Sequence, residues 1–210
     1  MVPFADGTKI RIKSLANNLY LRPIPCTSFT CDFQAIVNAC AVPGRNIISA
    51  IGQADDPLTI WQLCQYSALS DSGEAKYLIY SESNQNTFAM SLLNDGTLVL
   101  LPTSGICTQS KLNAPACSIG ATQDYFSFIL NENARSKTNT TSGSYNIIPS
   151  CFLGENNFIV SNGIGAISLP AAVCPPLVLS QGAGGPTIGC SGPEGDPRCT
   201  LNYLFEIETQ

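Results

Sequence analysis

The sequence predicts an all-β domain made of three unequal copies of a four-stranded unit, on three observations. A short phrase with an aromatic ring two residues before another apolar side chain occurs three times: Ile60-Trp61-Gln62-Leu63, Tyr125-Phe126-Ser127-Phe128 and Leu204-Phe205-Glu206-Ile207. That alternation points both side chains onto one face of a β-strand. Ahead of each phrase stands a hairpin with an Asn-containing turn and then a further apolar run, so the same order of elements recurs along the chain. Helical signal is confined to Gln34 to Ala41, enough for one turn or two, while the prolines fall mainly between the strand-like runs. The copies are placed at about 7–66, 75–132 and 144–208 within a single domain over 1–210.

In the first copy, Lys9-Ile10-Arg11-Ile12-Lys13 alternates polar with apolar, the pattern of a half-buried strand. Asn17-Asn18 then offers a two-residue turn, because Asn tolerates positive φ, and Leu19-Tyr20-Leu21 resumes the strand. The third strand is placed at Asn46-Ile47-Ile48-Ser49-Ala50. The second copy reads Tyr77-Leu78-Ile79-Tyr80, a turn around Asn84-Gln85-Asn86, then Phe88-Ala89-Met90. Asn94-Asp95-Gly96 turns it into Thr97-Leu98-Val99-Leu100-Leu101. The third reads Tyr145-Asn146-Ile147-Ile148, a turn at Glu155-Asn156-Asn157, then Phe158-Ile159-Val160. Asn162-Gly163-Ile164-Gly165 leads from there into Ala166-Ile167-Ser168-Leu169. The aromatic phrase closes each copy as its fourth strand, and the three rings are expected to meet in one core.

Composition sets the class. A chain of 210 residues with 44% hydrophobic residues can fill one core. Charged residues are only 12%, about half the usual share, so Ser, Thr, Asn, Gln and Gly must cover the surface. Ten basic against fifteen acidic residues leave −5, without the basic stripe that a polyanion requires, and nucleic acid is not an expected partner. The most apolar segment, Ile164 to Leu179, is broken by Pro170, Pro175 and Pro176 and is too short to span a bilayer.

Ten cysteines, Cys26, Cys31, Cys40, Cys64, Cys107, Cys117, Cys151, Cys174, Cys190 and Cys199, accompany no histidine at all. An even count without close CxxC pairs reads as disulfides in an oxidising compartment rather than as a metal cluster. Most of them fall in three long insertions, Ile24 to Arg45, Pro102 to Gln123 and Ala171 to Thr200, whose own apolar periodicity is weak. Disulfides are therefore expected to staple the insertions, with Cys107–Cys117, Cys190–Cys199 and Cys151–Cys174 as plausible pairs among connectivities that spacing leaves open. The start, Met1-Val2-Pro3-Phe4-Ala5-Asp6, lacks the basic and apolar stretches of a signal peptide, so the numbering is expected to begin near a mature N-terminus. The sequon Asn139-Thr140-Thr141 lies in a polar run and is a candidate N-glycosylation site.

Twelve strands in three sets of four is the inventory of a β-trefoil, and the chain resembles that superfamily from about Gly7 to Glu208. The hairpin KIRIKSLANNLYLRP followed later by IWQL is similar to the trefoil units of fascin-like and lectin-like proteins. The resemblance implies the fold and leaves the function open, since trefoils host lectins, protease inhibitors, cytokines and actin-bundling proteins. Ricin-type lectins carry Gln-x-Trp near the end of each repeat. Here there is one Trp, in Trp61-Gln62, so that sugar site is not carried over.

The residues argue against catalysis. Without His, the Ser-His-Asp and Cys-His arrangements are excluded. Two acidic pairs remain, Asp55-Asp56 before Pro57, and Glu206 with Glu208 on one face of the last strand. Gly182-Ala183-Gly184-Gly185-Pro186 lacks the Lys-Ser/Thr ending of a phosphate loop. No cofactor and no metal site are implied. The expected function is that of a secreted, non-enzymatic, lectin-like protein, with carbohydrate or glycoprotein as partner. Asn94, Asp95 and Asn162, at matching turns, are the candidate ligand contacts, and the plainer reading of the same residues is that they form the hairpin turns. Two alternatives stand beside it: an extracellular structural subunit that self-associates in a fibre or coat, and a trefoil-type protease inhibitor.

Overall fold

The computed structural model describes residues 4–28, 34–67, 75–84, 88–93, 97–102, 127–132, 143–149, 158–161, 177–180 and 204–210. Within them β1 (Lys9–Ser14) buries Ile10, Ile12 and Ser14 and turns Lys9, Arg11 and Lys13 outward, as its alternation predicts. The chain then bends through Leu15 to Leu19. Asn18 has φ 59°, the Leu19 N–H donates to Asn17 Oδ1 at 3.0 Å, and Ser14 N–H donates to the Leu19 carbonyl. The turn is longer than the two residues expected, because Asn17 does not sit at its tip. Its side-chain amide reaches across to the Ala50 carbonyl at 2.8 Å and ties the turn to the next hairpin.

From there run β2 (Tyr20–Pro25), the helix α1 (Gln34–Cys40), β3 (Asn46–Gly52) and β4 (Trp61–Ser67). β5 (Lys76–Ser81), β6 (Phe88–Leu92), β7 (Leu98–Pro102) and β8 (Phe128–Glu132) follow. The last four strands are β9 (Ser144–Pro149), β10 (Phe158–Ser161), β11 (Leu177–Ser180) and β12 (Phe205–Thr209). β11 departs from expectation. It lies at Leu177–Ser180, inside what was read as an insertion, and pairs with β10 from Phe158↔Ser180 to Ser161↔Leu177. The apolar run Leu177-Val178-Leu179, which follows Pro175-Pro176 in the sequence, supplies that strand, whereas 166–169, its expected place, lies outside the described residues.

The pairings close a ring. β1 pairs with β4, β4 with β5, β5 with β8, β8 with β9, β9 with β12, and β12 returns to β1, all antiparallel. Three hairpins, β2–β3, β6–β7 and β10–β11, stand outside this six-stranded barrel, and β3 joins β7. A closed barrel capped by three hairpins is the β-trefoil, and this chain has that fold.

Register identifies the three core rings. Trp61 stands opposite Ser81, Phe128 opposite Pro149 and Phe205 opposite Ser14, each pairing the first residue of one strand with the last of its neighbour. All three rings are fully buried in one cluster with Ile12, Ile79, Ile147, Leu63 and Leu130. The middle ring in register is thus Phe128, two residues beyond Phe126, which lies outside the described residues. A slip of two preserves the face a side chain points to, so alternation alone could not separate these candidates. The Trp61 indole N–H donates to the Leu21 carbonyl at 3.1 Å, satisfying its one polar group in the core.

Two further pieces fix the ends of the barrel. Phe4 packs edge-on to Tyr77, with centroids 6.3 Å apart, and against Tyr145 at 5.7 Å, and its carbonyl accepts the Tyr77 hydroxyl at 3.1 Å. At the hairpin side, α1 buries Ile36 and Ala39 against Ile24, Ile47 and Val99. A disulfide between Cys26 and Cys40, 14 residues apart, closes this insertion onto the end of β2, as the stapling argument expected.

Candidate functional site

Closure of the ring gives the barrel three comparable outer walls, each made by one pair of neighbouring strands. On the β4–β5 wall the outward positions hold Gln62 opposite Tyr80 and Cys64 opposite Leu78. On the β8–β9 wall they hold Ile129 opposite Ile148 and Asn131 opposite Asn146. Tyr80, Cys64, Leu78, Ile129, Ile148 and Asn146 are all buried although they point away from the barrel axis, so further chain lies over them. The β12–β1 wall differs. There Glu206 stands opposite Lys13 and Glu208 opposite Arg11, and all four remain partly open to solvent.

These charges are held in fixed places. Lys13 Nζ lies 2.8 Å from Glu206 Oε2 and 3.8 Å from Glu208 Oε1. The Tyr20 hydroxyl, brought over the wall by β2, donates to the Glu208 carboxylate, whose two oxygens lie at 2.8 and 3.0 Å. Lys13 Nζ also sits 6.0 Å from the centre of the Tyr20 ring. Arg11 Nη1 donates to Gln210 Oε1 at 2.7 Å and its Nε to Thr59 Oγ1 at 3.1 Å. Thr59 in turn donates to the Asp56 carbonyl at 2.6 Å. Asp56 caps the short 3-10 turn Pro57–Thr59 through the Leu58 N–H and holds Arg22 Nη1 at 2.6 Å with its other oxygen. Lys9 pairs with Glu82 at 2.7 Å on the rim.

Electrostatics follows from these contacts. The hydrogen bond with Glu206 raises the Lys13 pKa against the opposing cost of its burial. Burial first, and then the bond to Glu208, raises that of Tyr20. At neutral pH Lys13 is therefore a cation and Tyr20 a protonated donor. Glu206 and Glu208 share one face, as the sequence predicts, but each is engaged by Lys13 or Tyr20, an arrangement suited to hydrogen bonding rather than proton transfer. Asp56 is a turn and ion-pair residue, and Asp55 beside it is exposed.

The sequence-derived ligand candidates Asn94, Asp95 and Asn162, and the sequon residue Asn139, lie outside the described residues. So do Cys31, Cys107, Cys117, Cys151, Cys174, Cys190 and Cys199, and with them the three pairs suggested by spacing. Cys64 is disulfide-bonded. Sequence reasoning did not single out Arg11, Lys13, Tyr20, Arg22, Thr59 or Gln210. A signal was present: Lys9, Arg11 and Lys13 alternate on the first strand, and Glu206 and Glu208 alternate on the last. Their complementarity acquires meaning only once those strands are known to be neighbours.

No protein-family model matches the chain, and no curated protein matches it by sequence. Solved structures do resemble it. The SDF2-like protein of Arabidopsis thaliana is 9% identical with a TM-score of 0.53, the likeness covering 99% of this chain and 95% of that one. A mosquitocidal holotoxin is 11% identical with a TM-score of 0.51, covering 99% of this chain but 18% of the toxin. A ricin B-like lectin of Macrolepiota procera, solved with lactose, is 11% identical over the whole of both chains with a TM-score of 0.49. At such identities the likeness concerns the fold alone, and the fold is the β-trefoil that the strand pairings describe.

Proposed function

We propose that this chain is a secreted, non-enzymatic binding protein that recognises carbohydrate as a lectin does. The observation that carries the reading is the β12–β1 wall, an accessible array of directed donors and acceptors mounted on paired strands. Such groups meet a ligand without first being ordered, which spares the entropic cost that flexible loops incur. The Cys26–Cys40 disulfide and the bonded Cys64 support an oxidising, extracellular setting. The engagement of Glu206 and Glu208 by Lys13 and Tyr20 supports binding without chemistry. A glycan array probed with the purified chain tests the proposal: selective retention on one glycan class is expected, and no binding to any class overturns it. Self-association is a second reading, favoured by two large apolar side chains in the open, Val37 (43% exposed) on α1 and Val42 (45%) just beyond it. Light scattering across a concentration series decides that one, a monomer throughout removing it.

A further inference from the structure

We infer that the glycan site is the β12–β1 wall itself, rather than the hairpin turns, and that its ligands are uncharged sugars. The inference rests on the carbohydrate reading above and assigns it a place and a ligand class. Four cations on and around the wall, Lys9, Arg11, Lys13 and Arg22, stand against four anions, Asp56, Glu82, Glu206 and Glu208. A sialylated or sulfated glycan would find no net positive field there, and its charge would meet the two glutamates of β12 directly. An uncharged sugar suits the surface better. Its hydroxyls both donate and accept, so they match carboxylate acceptors lying beside guanidinium and ammonium donors.

Geometry supports the same ligand. Side chains on one face of a strand recur about every 6.7 Å, and neighbouring strands lie about 4.8 Å apart, a grid on which adjacent hydroxyls of a disaccharide can find separate partners. Arg11 supplies the donors. With Nε turned to Thr59 and Nη1 to Gln210, the planar fork is locked in orientation while further N–H groups remain for a ligand. Lys13 fixes Glu206, and Tyr20 fixes Glu208, a carboxylate with lone pairs for more than one donor. Among the described residues the other two walls offer no such array, because their outward positions are largely apolar and buried.

The experiment applies the wild-type chain to an array of neutral, sialylated and sulfated glycans. The best ligand is then titrated into E206Q, E208Q and R11K, isosteric or charge-preserving changes that keep the wall's shape, with K76Q as a charge change on another strand. Expected are retention on neutral glycans, a loss of about tenfold in affinity for each wall variant, and no change for K76Q, with melting temperatures close to wild type. Binding should also vary little with salt, since no net charge is neutralised. Neutral-glycan binding that survives all three wall substitutions, or that is lost in N94A/D95A instead, overturns the site and leaves the carbohydrate reading standing. Retention on charged glycans alone overturns the ligand class. Failure to bind any glycan defeats the carbohydrate reading and this assignment with it.

Discussion

Single residues decide this barrel where space is shortest. Gly52 is the sharpest case: a Cβ added there would collide with the Thr59 methyl and lie 3.1 Å from the Tyr20 carbonyl oxygen. Thr59 is fully buried and carries the Arg11 contact, so it has little room to retreat. Gly52→Ala is expected to destabilise the fold by about 1–3 kcal/mol, read as a lower urea midpoint with an unchanged slope. The ring at Phe128 is the complementary case, a large side chain whose removal leaves a void. Phe128→Ala is expected to cost about 3–5 kcal/mol in chemical denaturation. An effect below about 1 kcal/mol would show that its register with Trp61 and Phe205 is wrong. Residue identity was well legible in the sequence wherever one face had to be buried, as at Ile10, Ile12 and Trp61. It did not separate Phe126 from Phe128, because both satisfy the same alternation; pairing with Pro149 places Phe128, while Phe126 lies outside the described residues.

Among the elements, local chemistry was readable and long-range partnership was not. β1 stands where its alternation puts it, β5, β6, β9 and β10 stand where their apolar runs put them, and α1 occupies the one stretch with helical composition. β11 was missed because Leu177-Val178-Leu179 follows two prolines within a segment that lacks periodicity, and its strand character comes from pairing with β10. The polar wall was invisible for a similar reason. Nothing within β1 announces that its partner will be β12, 193 residues further on at the Lys13–Glu206 bond. The helical insertion depends on its crosslink as well as on packing, since α1 has only seven residues and buries a small face. Replacing Cys26 and Cys40 together by Ala is expected to remove about 3 kcal/mol and to loosen α1 first. Amide exchange should show protection lost at Ile36 and Ala39 before the barrel strands, and uniform loss would refute a local role for the staple.

Across the whole molecule, alkali should be the weakness. Tyr20, Tyr77 and Tyr145 all have pKa values raised above the ordinary 10.0, chiefly by burial, and Lys13 is raised above 10.5, chiefly by its bond to Glu206. Each group prefers its protonated form more strongly when folded than when unfolded. Their stabilisation is therefore complete below the unfolded values and is lost as pH rises through the folded ones. These four groups are expected to leave the melting temperature unchanged between about pH 7 and 9.5 and to lower it steeply beyond about pH 10, and Tyr77→Phe should make that fall shallower. A profile indifferent to the Tyr77 substitution would mean that the Phe4 plug does not keep its phenol from solvent. With six strands in a closed ring, the barrel also presents no unpaired sheet edge of its own for other chains to extend.

The seam between β12 and β1 has a topological consequence. Because Gln210 N–H donates to the Lys9 carbonyl at 3.0 Å, the two extremities of the barrel meet side by side. A short tether could splice them, and a fresh opening could be cut in the polar run between Glu132 and Ser144. Such a circular permutant would retain every barrel pairing while exchanging which seam is covalently continuous. Native-like circular dichroism and a cooperative melt are expected of it. Collapse would show that the order in which the strands emerge, and not only their final neighbours, decides whether this ring closes.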